Sequence, residues 1–244
     1  MTTPFDAQIM AGKIYARTPR FDRAVKFATE GFERLSELAP RWYVAISFGK
    51  QSICLAHLAQ SIRHDVPLYF LASTETWSMF NYQEVIDDYV AKYNPNLTIV
   101  QTDHLETGKT WKQSRDAGDK DLQKMCDEKD WDGWAWGLSM DESKPRRITI
   151  ATGIRQRNGH PSIYQYGSGK YRCCPLMKWE IQDLAAYIAT HNLKMLNVYE
   201  KYGLTQRTTA RFTKQAVEFG AANMARQLNP KMCRVTSVIP EIKA

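Results

Sequence analysis

The sequence predicts an α/β protein with a doubly wound, mainly parallel sheet, followed by a basic, mainly helical C-terminal extension. Three observations lead there. Short apolar runs alternate with amphipathic stretches from Phe21 to Asp103, the pattern of β-α-β units whose sheet is wrapped by helices. The first run, "WYVAIS", breaks at Phe48-Gly49-Lys50 and resumes with helical spacing, which places a loop at the carboxyl end of a strand, where ligands of such sheets bind. The chain has 244 residues and 43% hydrophobic content, enough for one substantial core. We therefore expect an α/β unit over residues 1–195 and an extension over 196–244.

Each element follows from its pattern. Phe21, Val25, Ala28, Phe32 and Leu35 recur at four- and three-residue steps, an amphipathic helix that Pro40 closes. "WYVAIS" supplies the first strand, and "SICLAHLAQSI" spaces Ile53, Leu55, Leu58, Ala59 and Ile62 as a buried helix face. "PLYFLAS" is the second strand, "NYQEVIDDYVAKY" a helix and "LTIVQTD" the third strand. From Leu105 to Asp130 the sequence is polar and highly charged, a helical insertion or a lid. "WDGWAWGLS" reads as a fourth strand and "ITIATGIR" as a further β-like run; "NGHPSIYQYGSGKYR" reads as a loop and "WEIQDLAAYIATHN" as the last clear helix.

Composition narrows the function classes. No window reaches the roughly eighteen consecutive apolar residues of a membrane span, and the N-terminus lacks the apolar core of a signal peptide. The expectation is a soluble, cytoplasmic protein without a membrane partner. Five cysteines, including the neighbours Cys173 and Cys174, do not form a secreted disulfide framework. The net charge is +7, and from Lys201 onward eight basic residues (Lys201, Arg207, Arg211, Lys214, Arg226, Lys231, Arg234, Lys243) stand against Glu218 and Glu241, a local net of +6. Such a bias suits a polyanion, a nucleotide phosphate or a nucleic acid, and equally suits a solvated basic face.

The break after the first strand has its own chemistry. A strand that turns into a helix through Ser47-Phe48-Gly49-Lys50-Gln51-Ser52 directs free helix N–H groups, two hydroxyls and one ammonium toward one spot, which favours phosphate. Gly49 lets the backbone approach an anion and Lys50 adds a point charge. The pattern is not the Walker A loop, and an ordinary Ser-capped helix start is the plain alternative.

With two further motifs in order, "GLSMDESKPRR" at 137–147 and "PLMKWEIQDLAAYI" at 175–188, the sequence resembles the phosphoadenosine phosphosulfate (PAPS) reductase family of the adenine nucleotide alpha-hydrolase-like (PP-loop) superfamily. The loop is similar to the family's S-[FG]-G-x-[DQ]-S, the second motif to G-[LI]-R-x-x-[EQ]-S-x-x-R, and the third to P-L-x-x-W-x-x-x-D-[VIL]-x-x-Y-I. The resemblance implies a Rossmann-like fold and an adenine nucleotide, PAPS, APS or ATP, held at its phosphates by Ser47, Phe48, Gly49, Lys50, Gln51 and Ser52. It also implies a clamp made by Glu142, Ser143, Arg146 and Arg147, because a guanidinium fork matches an oxyanion. "ATGIRQRNG", with Arg155 and Arg157, is a rival register for that motif. Lys50 and Arg146 would stabilise charge in the reaction. "YGSGKYR" offers Gly169, Lys170 and Arg172 as a second anion grip, or a hairpin turn; Trp179, Asp183 and Tyr187 share a helical face and read as packing residues.

Departures from the pattern matter as well. Gln51 stands where ATP-cleaving relatives carry Asp, and an amide is no carboxylate ligand for Mg²⁺, so Mg²⁺ and ATP are the less expected cofactor and substrate. The C-terminal E-C-G-L-H nucleophile of sulfonucleotide reductases is absent; Cys233, near Lys231 and Arg234, is the remaining candidate thiol. An iron–sulfur cluster is not expected, because no C-x-x-C follows the pair Cys173 and Cys174, which reads as partly buried thiols beside the pocket. "YGLTQRTTARF" resembles a DNA sulfur-modification segment without its cysteines, which gives Arg207 and Arg211 as anion contacts.

Two classes of function result. The first is a PAPS reductase-like enzyme acting at the sulfate or α-phosphate, of sulfonucleotide reductase or ATP pyrophosphatase type, with a thiol donor protein as partner. The second is a nucleotide- or nucleic-acid-binding module that has lost the chemistry, or an adenylating enzyme in nucleic-acid modification. Homodimers are common in the family.

Overall fold

The computed structural model describes residues 2–73, 80–102, 124, 127–140, 147–148, 150–151, 158–165 and 169–205. The chain opens with α1 (Pro4–Tyr15), started by a Thr3/Asp6 capping box with proline in the first turn. Thr18 then caps α2 (Pro19–Leu38), whose buried stripe is Phe21, Ala28, Phe32 and Leu35. The expected alternation follows: β1 (Trp42–Ile46), α3 (Lys50–Ile62), β2 (Leu68–Ser73), α4 (Tyr82–Tyr93) and β3 (Leu97–Thr102). Beyond the polar stretch, in which Lys124, Asp127 and Glu128 are helical, come β4 (Gly133–Trp136), β5 (Ile163–Gln165), β6 (Tyr171–Cys173), α5 (Ile181–His191) and α6 (Asn197–Tyr202). Asn94 and Asn192, both left-handed, end α4 and α5, a conformation asparagine tolerates.

The six strands run β3-β2-β1-β4-β6-β5, all parallel except β5. The order reverses at β1, which pairs β2 on one side (Ile46 opposite Phe70) and β4 on the other (Ala45 opposite Trp136). That switch point is where a crevice opens between strand ends.

Alternation along β1 sorts the core. Trp42, Val44 and Ile46 join Leu68, Phe70, Ala135 and Cys173 in the main core with the helices. Tyr43 turns to the opposite face and packs with Tyr69 and Trp134. Two indoles of the main core are satisfied: Trp42 donates to Ser36 Oγ at 3.0 Å and Trp179 to the Ala24 carbonyl at 3.1 Å.

Three expectations are corrected. Arg147, Ile148, Ile150 and Ala151 are helical, not β; a strand would place Ile148 and Ile150 on one face, whereas Ile150 is buried and Ile148 is 59% exposed. The stretch from Asn158, read as a loop, contains the hairpin β5–β6, and β6 occupies the edge of β4. Cys173 and Cys174 are fully buried, not partly. The expected boundary at 195/196 falls just before α6, whose Val198 and Tyr199 lie in the main core.

Helices α3, α4 and α5 meet around paired aromatic and imidazole rings. His57 Nδ1 lies 2.9 Å from the Tyr187 hydroxyl, and the His57 ring sits 4.5 Å from His191 and 4.8 Å from Tyr93 between centroids. Burial, then the neighbouring His191, lowers the His57 pKa from 6.5 to about 4; burial lowers that of His191 as well. A base whose folded pKa is depressed stays neutral while the unfolded chain already binds the proton, so stability is complete above about pH 6.5 and is lost as pH falls toward 4. The full shift corresponds to about 3 kcal/mol, which the ring's open side reduces to about 1–2 kcal/mol. Urea midpoints measured from pH 7 to 4 should fall across that window in the wild type and less in His57→Gln; equal slopes would exclude His57 as their source.

Candidate active site

β1 delivers the loop at the switch point. After Ile46 the chain turns through Ser47, Phe48 and Gly49 into α3. Phe48 takes φ +50°, a left-handed conformation that is costly for a bulky side chain. Its ring holds it there, wholly buried and edge-on to Phe70 at 5.3 Å and Tyr89 at 5.9 Å.

Ser52 clasps the turn. Its Oγ accepts the Ser47 N–H at 3.0 Å, donates to the Gly49 carbonyl at 3.1 Å and lies 3.1 Å from Ser47 Oγ. A hydroxyl has one hydrogen, so with that of Ser52 given to Gly49, the hydrogen between the two serines belongs to Ser47. Both hydroxyls therefore shape the loop, a use the sequence did not suggest.

Gly49 is the N-cap of α3 without a side-chain cap, and the first turn carries no acidic residue. The positive pole of the helix is thus not neutralised by a carboxylate of its own. Lys50 is 3% exposed; its ammonium lies 5.5 Å from the centroid of the Tyr199 ring, and its backbone N–H donates to the Tyr199 hydroxyl at 3.3 Å. Gln51 is buried beside it. Helix amides and an ammonium gathered at a strand end form a setting for an oxyanion.

The second sequence motif packs against this loop, and the third packs against the second. Gly137, just past β4, runs so close to α3 that a Cβ there would lie 3.1 Å from Ser52 N and 3.2 Å from the Gln51 carbonyl carbon. Glycine is what permits this approach. Ser139 Oγ then donates to the Trp179 carbonyl at 2.7 Å, and the Met140 N–H to that of Met177 at 3.0 Å. Trp179, Asp183 and Tyr187 are buried in the main core, with Asp183 accepting from Tyr15 Oη at 3.1 Å and from the Glu180 N–H at 2.8 Å.

Other expected contacts sit elsewhere. Arg147 is exposed on its helical segment. Gly169, at φ +83°, and Lys170 belong to the β5–β6 turn. Because Tyr171 pairs with Gly133, the first residue of β4, that turn lies at the amino ends of the parallel strands, opposite the loop. Lys170 is ion-paired with Asp127 at 2.6 Å. A second grip by Gly169 and Lys170 on the anion at Lys50 does not fit this placement. Arg172 stacks on Trp134 at 4.8 Å, Trp136 at 4.9 Å and Tyr164 at 5.6 Å, and donates to the Tyr164 hydroxyl at 3.2 Å. Glu142, Ser143, Arg146, Arg155, Arg157, Arg207, Arg211 and Cys233 lie outside the described residues.

The described cysteines are sealed. Burial pushes the Cys54 and Cys173 thiols far up from their ordinary value; Cys173 lies 3.4 Å from Ser162 Oγ, and Cys174 is buried 4.0 Å from the Tyr164 hydroxyl. Thiols held neutral and away from solvent are poor nucleophiles. Among the described residues no group of three or more His, Cys, Asp or Glu side chains is placed to hold a metal ion, and no helix is long and apolar enough to cross a membrane.

Two residues escaped sequence reasoning. Tyr199 reaches Lys50 across 149 positions, for which no local pattern exists. The packing role of Gly137 could have been suspected from a glycine directly after a tryptophan-rich strand.

Comparison with known proteins adds to this geometry. Residues 41–205, from β1 to just past α6, match the family described as phosphoadenosine phosphosulfate reductase domain. The phosphoadenosine 5'-phosphosulfate reductase of Enterobacter sp. (strain 638) is 25% identical over 176 residues, which cover 66% of this chain and 66% of that protein. The adenosine 5'-phosphosulfate reductase of Halalkalibacterium halodurans is 26% identical over 169 residues, covering 64% and 68% respectively. The chain thus spans about two thirds of the length of these relatives. A solved PAPS reductase from Candida auris, in a phosphate complex, aligns with a TM-score of 0.49 at 15% identity, covering 74% of this chain and 89% of that one.

Proposed function

The chain belongs to the phosphoadenosine phosphosulfate reductase family, and from that premise we propose that it is a sulfonucleotide-binding enzyme whose substrate, PAPS or APS, places its anionic groups at the Ser47–Ser52 turn. One observation carries this reading: three motifs distant in sequence converge at the switch point, with Gly137 against the first turn of α3 and Ser139 tied to Trp179. The α3 amides and Lys50 bind and orient the anion, and Arg146 completes the charge. In reduction, a thiolate attacks the sulfate sulfur, an S–S bond forms and the S–O bond breaks. The nucleotide leaves with its phosphate oxygen, and a second thiol then releases sulfite by forming a disulfide. A thiol donor protein supplies at least one of these thiols, and Cys233 is the chain's own candidate for the other. The α/β unit, expected over 1–195, takes in α6, whose Val198 and Tyr199 lie in the main core, and provides the nucleotide site; the residues beyond it form the basic extension.

A second reading is a nucleotide-binding module without turnover. It is favoured by the burial of Cys54, Cys173 and Cys174.

Calorimetric titration with APS, PAPS and ATP, with and without Mg²⁺, tests both. Binding of APS or PAPS without metal is expected, weakened about ten- to a hundredfold in Lys50→Ala, as loss of a charge-assisted contact implies. Sulfite release abolished by Cys233→Ser would separate the enzyme from the module. Binding of Mg-ATP alone, or of none of the three, would overturn the sulfonucleotide reading.

A further inference from the structure

Tyr199 touches the two groups of Lys50 through which the loop addresses an anion. Its hydroxyl accepts the backbone N–H, among the first amides of α3, and its ring lies beneath the ammonium. The side chain is 1% exposed, so this contact replaces water at a buried amide. Its distance, 3.3 Å, is long for a neutral hydrogen bond, and a charged oxygen is the stronger acceptor.

The helix that carries Tyr199 is fixed at both ends. The Asn197 N–H donates to Asn81 Oδ1 at 2.8 Å, ahead of α4, and the Leu204 N–H donates to Gln8 Oε1 of α1 at 2.7 Å. Between them Gly203 turns at φ +81°, with Gln8 Oε1 only 2.9 Å from where a Cβ would stand. The hydroxyl is therefore delivered by a short segment pinned to two other helices.

We propose that Tyr199 is a positioning residue that stands in for the substrate's oxygen: it accepts the Lys50 N–H while the site is empty and yields that amide to the incoming oxyanion, while its ring keeps the ammonium in place. This rests on the reading of the loop as an anion site. Removing the hydroxyl leaves the amide without its acceptor in the free protein and removes a competitor, so anion binding gains.

Tyr199→Phe in the full chain is expected to bind APS and inorganic pyrophosphate about two- to tenfold more tightly, the range of one net hydrogen bond. Tyr199→Leu, which also loses the ring, should forfeit that gain. In ¹⁵N-lysine-labelled protein the Lys50 amide resonance should move in free Tyr199→Phe and again when wild type is titrated with APS. A purely structural role would not raise the affinity of Tyr199→Phe. Weaker or unchanged binding by folded Tyr199→Phe, with wild type still dependent on Lys50, overturns this inference alone. Should the variant fail to fold, a wild-type Lys50 amide that stays fixed while APS binds overturns it. Absence of any binding by wild type overturns the anion-site reading and this inference with it.

Discussion

Phe48→Ala is expected to cost about 3–5 kcal/mol of folding stability, the usual penalty for truncating a fully buried ring. The ring fills the space between Phe70 and Tyr89, and its packing offsets the cost of holding a bulky residue at φ +50°. Alanine keeps the unfavourable dihedral and loses the ring. Phe48→Gly loses the ring too but relieves the dihedral, so it should be the more stable of the two by about 1 kcal/mol, although glycine in an ordinary conformation is the less stable choice. Urea denaturation of the three proteins reads the order directly. Alanine above glycine would mean that the turn is not held in the left-handed region, and that the loop stores no strain.

Gly12→Ala should be the other large effect. Alanine in a helix interior ordinarily stabilises by about 1 kcal/mol over glycine. Here a Cβ would lie 2.6 Å from the Ala185 carbonyl carbon, 2.7 Å from its oxygen and 2.8 Å from the Ala186 nitrogen. These are backbone atoms of α5 and cannot swing aside, so α1 must lift. The expected cost is about 2–3 kcal/mol, a fall in Tm of roughly 5–10 °C for a chain of this size, measured by thermal melting. An unchanged or raised Tm would show that the two helices do not cross at this distance. Because Gln8 holds Leu204, lifting α1 also disturbs the segment that presents Tyr199.

Much of the fold was legible because periodicity reports burial. Phe21 to Leu35 and Tyr82 to Tyr93 bury one face, and the inner strands β1 and β2 are apolar because parallel strands inside a sheet are covered on both faces. The pattern failed where length or context overrode it. β5 and β6 are three residues each, too short for alternation to register beside the turn residues Gly167, Ser168 and Gly169. Ile148 and Ile150 have strand-forming side chains, yet the edge of β4 belongs to β6, and β propensity depends on having a partner. α1 carried a readable start in Thr3-Pro4 and Asp6, but Met10 and Ile14 are exposed and blur its apolar stripe. The phosphate-loop motif was legible as a string; the clasp by Ser52, the turn at Phe48 and the contact with Tyr199 are tertiary facts that no local spacing encodes.

The adjacent thiols at the end of β6 mark two separate compartments. Cys173 points into the main core, beside Ser162 and the Gly31 carbonyl; Cys174 points into the smaller cluster with Leu138, Ile150, Tyr164 and Met177. Neighbours in the chain, they are shielded by different layers, so the sheet acts as a partition between them. Their alkylation kinetics thereby become two clocks: Cys173 reads the opening of the helical layer over α2, and Cys174 reads the release of the segments that follow β4. One peptide thus records separately how firmly each of the two clusters is closed.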